Sequence, residues 1–502
     1  MEADYVVVGA GAAGCVVASR LSADPGRSVL LVEYGGRPLS PLISIPKGFY
    51  RTLRGDRYLY RYETANHEAW LRGKVLGGST AVNGMMWARG APADWDALAA
   101  RGNPGWAWDD IAPAYQAVER ALALSVPPAG EITEAILGSA RSYGWAVTDD
   151  FNSLDTERIG LTPSSIANGK RVTAYSAMIR SVEKRPNLAV ATRTRAARLL
   201  FDGRRVTGIR TAGGADIRAR REVIVCAGAI ETPLLLERSG IGRPDIVGSL
   251  GVRLVAGSPN VGERLIEQRG LALQVRLKRG RRLTAARQVT EALKYLGTRG
   301  GLLSTGGYDL ACQFKSSPAL ERPDVQGLFA PLALDTASED MRLARHPGIL
   351  FMGYPIRPST PGSVHASGPA PGDPPVIDAR YLATESDRAA AGAVLEVARA
   401  VLRQGPVADY AEEEEFPGPS VATPEQAVRY SLASGTGIYH AVGSAAMGPG
   451  PSDVTDPRLR VRGTDGLRVA DASVLPVQVS GGTAAPAMAV GWRAADLIGE
   501  ES

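Results

Sequence analysis

The sequence predicts an α/β fold that opens on a Rossmann-like βαβ unit and continues into a second unit of different character. Three observations carry this. Residues 4–36 run through a β-branched stretch, glycines in G-x-G-x-x-G spacing, a helical stretch and a second buried strand. The chain has 502 residues, more than one hydrophobic core organises, and about 150 residues per domain implies two to four domains. From about residue 270 to 460 the βα punctuation fades, and Pro/Gly-rich breaks such as HASGPAPGDPP at 365–375 interrupt the chain.

In the first unit, Tyr5 to Val8 read as a strand, Cys15 to Leu21 as a helix and Ser28 to Val32 as a second strand ending at Glu33. Between the first strand and the helix stand Gly9, Gly11, Ala12, Ala13 and Gly14. The first glycine permits a tight turn, the second lets backbone approach a pyrophosphate, and the third lets the helix pack close to the strand. Free N–H groups at the helix N-terminus favour phosphate. Glu33 lies 19 residues past Gly14, where a carboxylate accepts hydrogen bonds from an adenosine ribose and disfavours a 2′-phosphate. Spacing leaves NAD and FAD both open.

The stretch WLRGKVLGGSTAVNGMMWARG at 70–90 can bring backbone N–H groups against a flat or phosphorylated ligand, with Asn83 as a polar side chain. Read alone, it is equally an irregular glycine loop. REVIVCAGAIETPLLLERSGIG at 221–242 reads as a buried strand passing through Ala227, Gly228 and Ala229 into a helix, with Pro233 near its first turn and its end at Ser239 and Gly240. Near the end, GLRVADASVLPVQVSGGTAAPAMAVGWRAADLI at 466–498 reads as a strand ending in Asp471, a loop and an amphipathic final helix.

Composition narrows the function. The chain carries 57 basic and 52 acidic residues, net +5, and its clearest basic cluster, KRGRR at 278–282, reads as a solvated turn, so no nucleic-acid partner is expected. Three separated cysteines give neither a disulfide framework nor a metal site. No apolar run reaches the roughly 18 residues that span a bilayer, and MEADYVVVGAG, with no basic or cleavable apolar stretch ahead of its strand, leads to the expectation of no leader. A cytoplasmic location with no membrane partner is the default expectation. Of the four histidines, His67, His346 and His365 match no motif and are expected at the surface. His440, within GTGIYHAVGSAAMG, stands among apolar residues, where imidazoles are more often structural than catalytic.

Other stretches change that reading. The N-terminal fingerprint, GKVLGGSTAVNGMMWARG, RPNLAVATRTRAARLLFDGRRVTGIR, GAIETPLLLERSGIG, ALKYLGTRGGLL, YHAVGSAAMG and GLRVADASVLP together resemble the glucose/methanol/choline (GMC) flavin oxidoreductases over nearly the whole length. The resemblance implies FAD rather than NAD. It implies that Gly9, Gly11, Ala12, Ala13 and Gly14 hold the pyrophosphate, with Glu33 on the ribose and Ala196 near the adenine. Gly78, Asn83, Gly84 and Met85 would lie at the isoalloxazine end, with Asp471 and Ala472 over the ribityl chain. Some members attach FAD through a histidine where this chain has Val82, so non-covalent FAD is implied.

The implied fold is a GMC-type FAD domain of residues 1–160, 190–260 and 455–502, with a substrate domain on an antiparallel sheet from 161–189 and 261–454. Through the shared pattern Y/W-H-x-x-G-[ST] the resemblance implies that His440 aligns with the family's active-site histidine and acts as the acid/base for oxidising an alcohol by hydride transfer to flavin N5. Most members carry a second His or Asn six residues beyond the proline of DASVLP. Here that position is Gly482, and Ala484 replaces a further asparagine. Ser480 and Thr483 are the neighbouring hydroxyls, and Gly482 and Thr483 are assigned to the substrate pocket. A neutral alcohol of moderate size is the expected substrate, with the electron acceptor left open.

Alternatives are a lyase, such as the family's hydroxynitrile lyases, or its light-driven fatty-acid decarboxylase. For the latter, Cys312 lies in the approximate region but Leu328 stands where an arginine belongs. A non-enzymatic FAD-binding protein is the remaining class, and the retained His440 argues against it.

Overall fold

The computed structural model describes every residue except 154, 281, 337–341 and 502. Two sheets share the chain by turns. It lays down β1 (Glu2–Val8), α1 (Ala12–Leu21) and β2 (Val29–Val32), then crosses over for β3 (Ala146–Thr148) and β4 (Arg158–Leu161). It returns for β5 (Leu188–Ala191), β6 (Ala196–Asp202), β7 (Arg205–Thr211), β8 (Asp216–Val225) and α2 (Gly228–Glu237). The second sheet then receives β9 (Arg269–Leu277), β10 (Leu310–Phe314), β11 (Val325–Ala330), β12 (Gly348–Pro355) and β13 (Ala411–Phe416). Helices α3 (Ala285–Thr298) and α4 (Glu385–Leu402) fall within this run, and β14 (Leu467–Val469) and α5 (Ala484–Glu500) close the first unit.

The first sheet has the order β6-β7-β8-β1-β2-β5, with β14 on the far half of β8. Strands β5, β2, β1, β8 and β14 pair in parallel, and β6 and β7 are antiparallel. Strand β1 starts ahead of the apolar run because Glu2 and Ala3 pair with Arg218 and Ala219. Helix α1 starts at Ala12 rather than Cys15, its first turn made of the fingerprint residues themselves. Gly491 brings α5 so close to α1 that a Cβ there would lie 2.6 Å from the Ala13 carbonyl oxygen.

Pro233 stands inside α2, because that helix begins at Gly228 rather than at the proline. A proline cannot donate to the carbonyl four residues back. That carbonyl, on Ala229, instead accepts the Ser444 hydroxyl at 2.6 Å. One hydrogen bond thus repairs α2 and anchors the segment that carries His440.

The second sheet runs β13-β9-β12-β11-β10-β4-β3, with Thr436–Gly437 added to β9. All its pairings are antiparallel except β3 with β4. The strands within residues 146–161 form its far edge, although the sequence reading places 146–160 with the first unit. Side chains alternate across it. Cys312, Phe329 and Phe351 point into a core with Val394 and Leu395 of α4, whereas Ala311, Leu328 and Tyr354 share a cluster on the other face.

Candidate active site

The two glycine-rich stretches meet. Gly78 has φ +53, and a Cβ there would lie 2.7 Å from the Gly11 Cα, while the Gly77 N–H donates to the Ala10 carbonyl at 2.8 Å. At Gly14 any side chain would strike the Gly9 carbonyl. At Gly11, Gly84 and Gly228, by contrast, a Cβ would meet nothing within 4 Å. Bare backbone at the starts of α1 and α2 and in the 78–85 loop forms a cradle of the kind a dinucleotide fills.

Glu33 is buried at this cradle. Its Oε2 accepts the Ala10 N–H at 3.0 Å and its Oε1 the Gly35 N–H at 2.6 Å. Each oxygen keeps a lone pair for a ribose hydroxyl, and burial pushes the carboxyl up to about 7. Thr194 donates its N–H to the Glu33 carbonyl at 2.9 Å, which brings Ala196 to the same end. Asp471 is occupied internally: it accepts from Gly228 N at 2.8 Å, Thr232 Oγ1 at 2.7 Å and Ser473 N at 2.8 Å. It pins the start of α2 to the last strand, with Ala472 following in a short 3₁₀ turn.

At the other end Met85 has φ +68, held by its N–H donating to Asn83 Oδ1 at 3.1 Å. The same oxygen accepts Arg171 Nη1 at 2.8 Å. With Oδ1 doubly engaged, the Asn83 amide nitrogen is left to donate elsewhere. Arg171 also donates to the carbonyls of Ile43 and Thr80, and burial draws its guanidinium down to about 9. Its Nη2 is buried with no partner.

His440 follows Tyr439, whose φ of +65 stores backbone strain beside the imidazole. The His440 Nδ1 lies 2.7 Å from Gln268 Oε1. Gln268 Nε2 donates to the Ile356 carbonyl at 2.6 Å, so its oxygen is the atom that faces the ring. Nδ1 must therefore carry the proton, and Nε2 the lone pair. Burial, assisted by the Arg72 charge, pulls the imidazole down to about 3, so it is neutral at pH 7. The His440 N–H donates to Glu267 Oε1 at 2.8 Å, and Gln478 Nε2 donates to its carbonyl. Glu267 is only 4% exposed and lies 3.5 Å from Arg72 Nη2. Burial pushes its carboxyl up to about 7 against the pull of Arg72.

Gly482 faces the free nitrogen: a Cβ there would lie 3.2 Å from His440 Nε2. Ser480 is turned away, its N–H on Asp94 Oδ2 at 2.7 Å and its hydroxyl accepting from Arg357. Thr483 begins α5 without its hydroxyl capping the helix, so it is the hydroxyl of the two left available. Tyr354 stands 6.2 Å from the imidazole, centroid to centroid, in a cluster with Leu328, Met352 and Ile438. Cys312 lies on the opposite face of the sheet and burial pushes its thiol up, which removes the placement a decarboxylase reading needs.

The sequence reading missed Gln268, Glu267, Arg72 and Arg171, which lie in no recognisable spacing. His365 is not a surface residue. It lies on a strand, 2.7 Å from Glu237 Oε1 and 3.3 Å from Glu263 Oε1. His67 is exposed, and His346 is partly buried beside Glu415. Among the described residues no cluster of three or more His, Cys, Asp or Glu could hold a metal.

The description "GMC oxidoreductase" belongs to both family models that match, over residues 3–268 and 358–491. An uncharacterized GMC-type oxidoreductase of Mycobacterium tuberculosis is 34% identical over 99% of each chain. The alcohol dehydrogenase [acceptor] of Pseudomonas putida is 30% identical over 99% of this chain and 95% of its own. The crystal structure of pyridoxine 4-oxidase from Mesorbium loti superposes with a TM-score of 0.88 at 27% identity over 99% of each chain.

Proposed function

Because the chain belongs to the GMC oxidoreductase family of FAD-binding flavoproteins, we propose that it oxidises a neutral alcohol, with His440 Nε2 taking the hydroxyl proton. The observation that carries this reading is the fixed tautomer: a partly buried, neutral imidazole whose only lone pair is Nε2. Relatives named as alcohol and choline dehydrogenases agree with a CH–OH substrate.

FAD, held without a covalent link, supplies the hydride acceptor. Gly9, Gly11, Ala12, Ala13 and Gly14 would hold its pyrophosphate, Glu33 and Ala196 its adenosine end, and Asp471 and Ala472 its ribityl chain. Gly78, Asn83, Gly84 and Met85 would support its ring. His440 accepts a proton as the carbinol carbon loses hydride, and Gln268 keeps the accepting nitrogen aimed at the pocket. Gly482 leaves room for the alcohol oxygen at Nε2, with Thr483 as a nearby donor. The apolar wall of Leu328, Met352 and Ile438 excludes water and favours an uncharged substrate.

Anaerobic mixing with a panel of alcohols tests this. A substrate alcohol should bleach the flavin absorbance, and His440→Ala should slow bleaching roughly 10² to 10⁴-fold. Full-rate bleaching in that variant would remove His440 from the mechanism. Product formation with no bleaching would favour the lyase chemistry instead.

A further inference from the structure

Helix α3 is the anomaly of the surface. Val289, Leu293 and Leu296 are 59%, 64% and 67% exposed, and their spacing sets them on one helical face. Of its residues only Tyr295 is buried, donating its hydroxyl to the Gly169 carbonyl at 2.9 Å. Charge is concentrated around the same helix. Residues 278–300 hold seven basic side chains against one acidic, Glu291, whereas the whole chain is only +5; the rest of the protein is therefore slightly acidic. Among the described residues Lys278, Arg279, Arg282, Lys294 and Arg299 have no carboxylate partner; Arg279 and Arg299 stack over Tyr410 and Tyr295. Arg281 lies outside the described residues.

An aliphatic stripe on a helix rimmed by unneutralised cations is the pattern of an interfacial helix. We propose that α3 seats the enzyme on an anionic lipid surface. A second copy of the chain is a poor occupant, since a two-fold interface on this stripe would oppose two basic clusters. The stripe carries no exposed aromatic of the kind that anchors protein partners or stacks nucleobases. No helix among the described residues is long and apolar enough to cross a membrane, and the expectation of no membrane partner rested on that criterion, which says nothing of a helix lying on one. The chain after α3 leads into Gly306 and Gly307, where Lys47 Nζ donates to the Gly306 carbonyl and the Gly307 N–H donates to the Gly84 carbonyl at 3.1 Å.

Flotation of the FAD-loaded protein with phosphatidylcholine vesicles, with and without phosphatidylglycerol, tests the proposal. The protein should float only with phosphatidylglycerol present, and added salt should release it. Lys278→Gln with Arg282→Gln and Lys294→Gln should weaken partitioning by about fivefold per charge removed. Leu293→Gln with Leu296→Gln should weaken it at least about tenfold. Unchanged flavin absorbance and melting temperature verify that both variants fold. Failure to float, equal flotation with neutral vesicles, or variants that partition as the wild type each overturn the proposal. So does a dimer, measured by light scattering, that the leucine variant dissociates.

Discussion

Replacing Gln268 with leucine isolates the group that makes His440 a base in one direction only. Gln268 is fully buried, and its amide joins the His440 Nδ1 proton at 2.7 Å to the Ile356 carbonyl at 2.6 Å. Leucine fills similar volume but leaves both groups unpaired, at about 1–3 kcal/mol each, so the melting temperature falls. The catalytic effect is separate. The bond to Nδ1 is worth roughly 1 kcal/mol net, and its loss lets the proton move to Nε2. Flavin reduction should then slow by about fivefold.

Nitrogen NMR of histidine-labelled protein reads the tautomer directly, and four histidines keep the spectrum tractable. The wild type should show His440 protonated on Nδ1, and Gln268→Leu a mixture. Gln268→Glu supplies the rescue: its protonated carboxyl makes the same two bonds, so where that carboxyl is protonated its rate should match the wild type measured at the same pH, as the leucine variant's should not. A wild-type His440 protonated on Nε2, or a leucine variant with unchanged reduction rate, would refute the reasoning.

Gly482→Ala places a methyl 3.2 Å from His440 Nε2 and 3.4 Å from Cε1, and Gln268 prevents the ring from retreating. Reduction should slow at least about tenfold for small and large alcohols alike, with FAD content unchanged; an effect confined to the KM of large alcohols would show that Gly482 only provides volume. His365 supports a pH test of stability. Burial draws its imidazole down, but Glu237 and Glu263 outweigh that and raise it. A raised folded pKa means stability that is fully present below the unfolded value of 6.5 and lost as pH rises through the folded one. The gap in melting temperature between wild type and His365→Leu should be widest in acid and narrow as pH rises; a gap that widens with pH would contradict the pairing.

What the sequence makes legible is local. Strand, glycine turn, helix and acid at 5–33 are contiguous, so their spacing alone carries the geometry, and only the ends shift when β8 pairs with Glu2 and Ala3. His440 is found because its segment is itself a pattern. Its partner Gln268 is 172 residues away, brought beside it by the antiparallel pairing of Thr436–Gly437 with the start of β9, and no local periodicity could reveal it. The Pro/Gly-rich stretch at 365–375 reads as a break in the sequence. It is the turn of a hairpin pairing Ser363–Ala366 with Pro375–Asp378, and that pairing carries His365 inward to Glu237. Which sheet residues 146–160 join is hidden for a related reason: strands of three and four residues take their sheet from long-range partners.

How one histidine serves without its usual partner is answered behind the ring rather than at Gly482. A base drawn down to about 3 is a weak one, and it takes the hydroxyl proton most readily as the carbinol carbon loses hydride, when the developing positive charge makes that hydroxyl more acidic. The resulting imidazolium sits near Arg72, which opposes it, and near Glu267, which offsets it only while ionised. Burial leaves Glu267 at about 7, inside the working range. As pH falls through about 7, Glu267 takes a proton, Arg72 is uncompensated and His440 becomes a poorer base. Flavin reduction should therefore decline toward acid with an apparent pKa near 7 that belongs to Glu267. Glu267→Gln, which keeps an acceptor for the His440 N–H, should give a flat profile at the low rate. If the decline persists in that variant, the titrating group is His440 itself, and the burial argument for its neutrality fails.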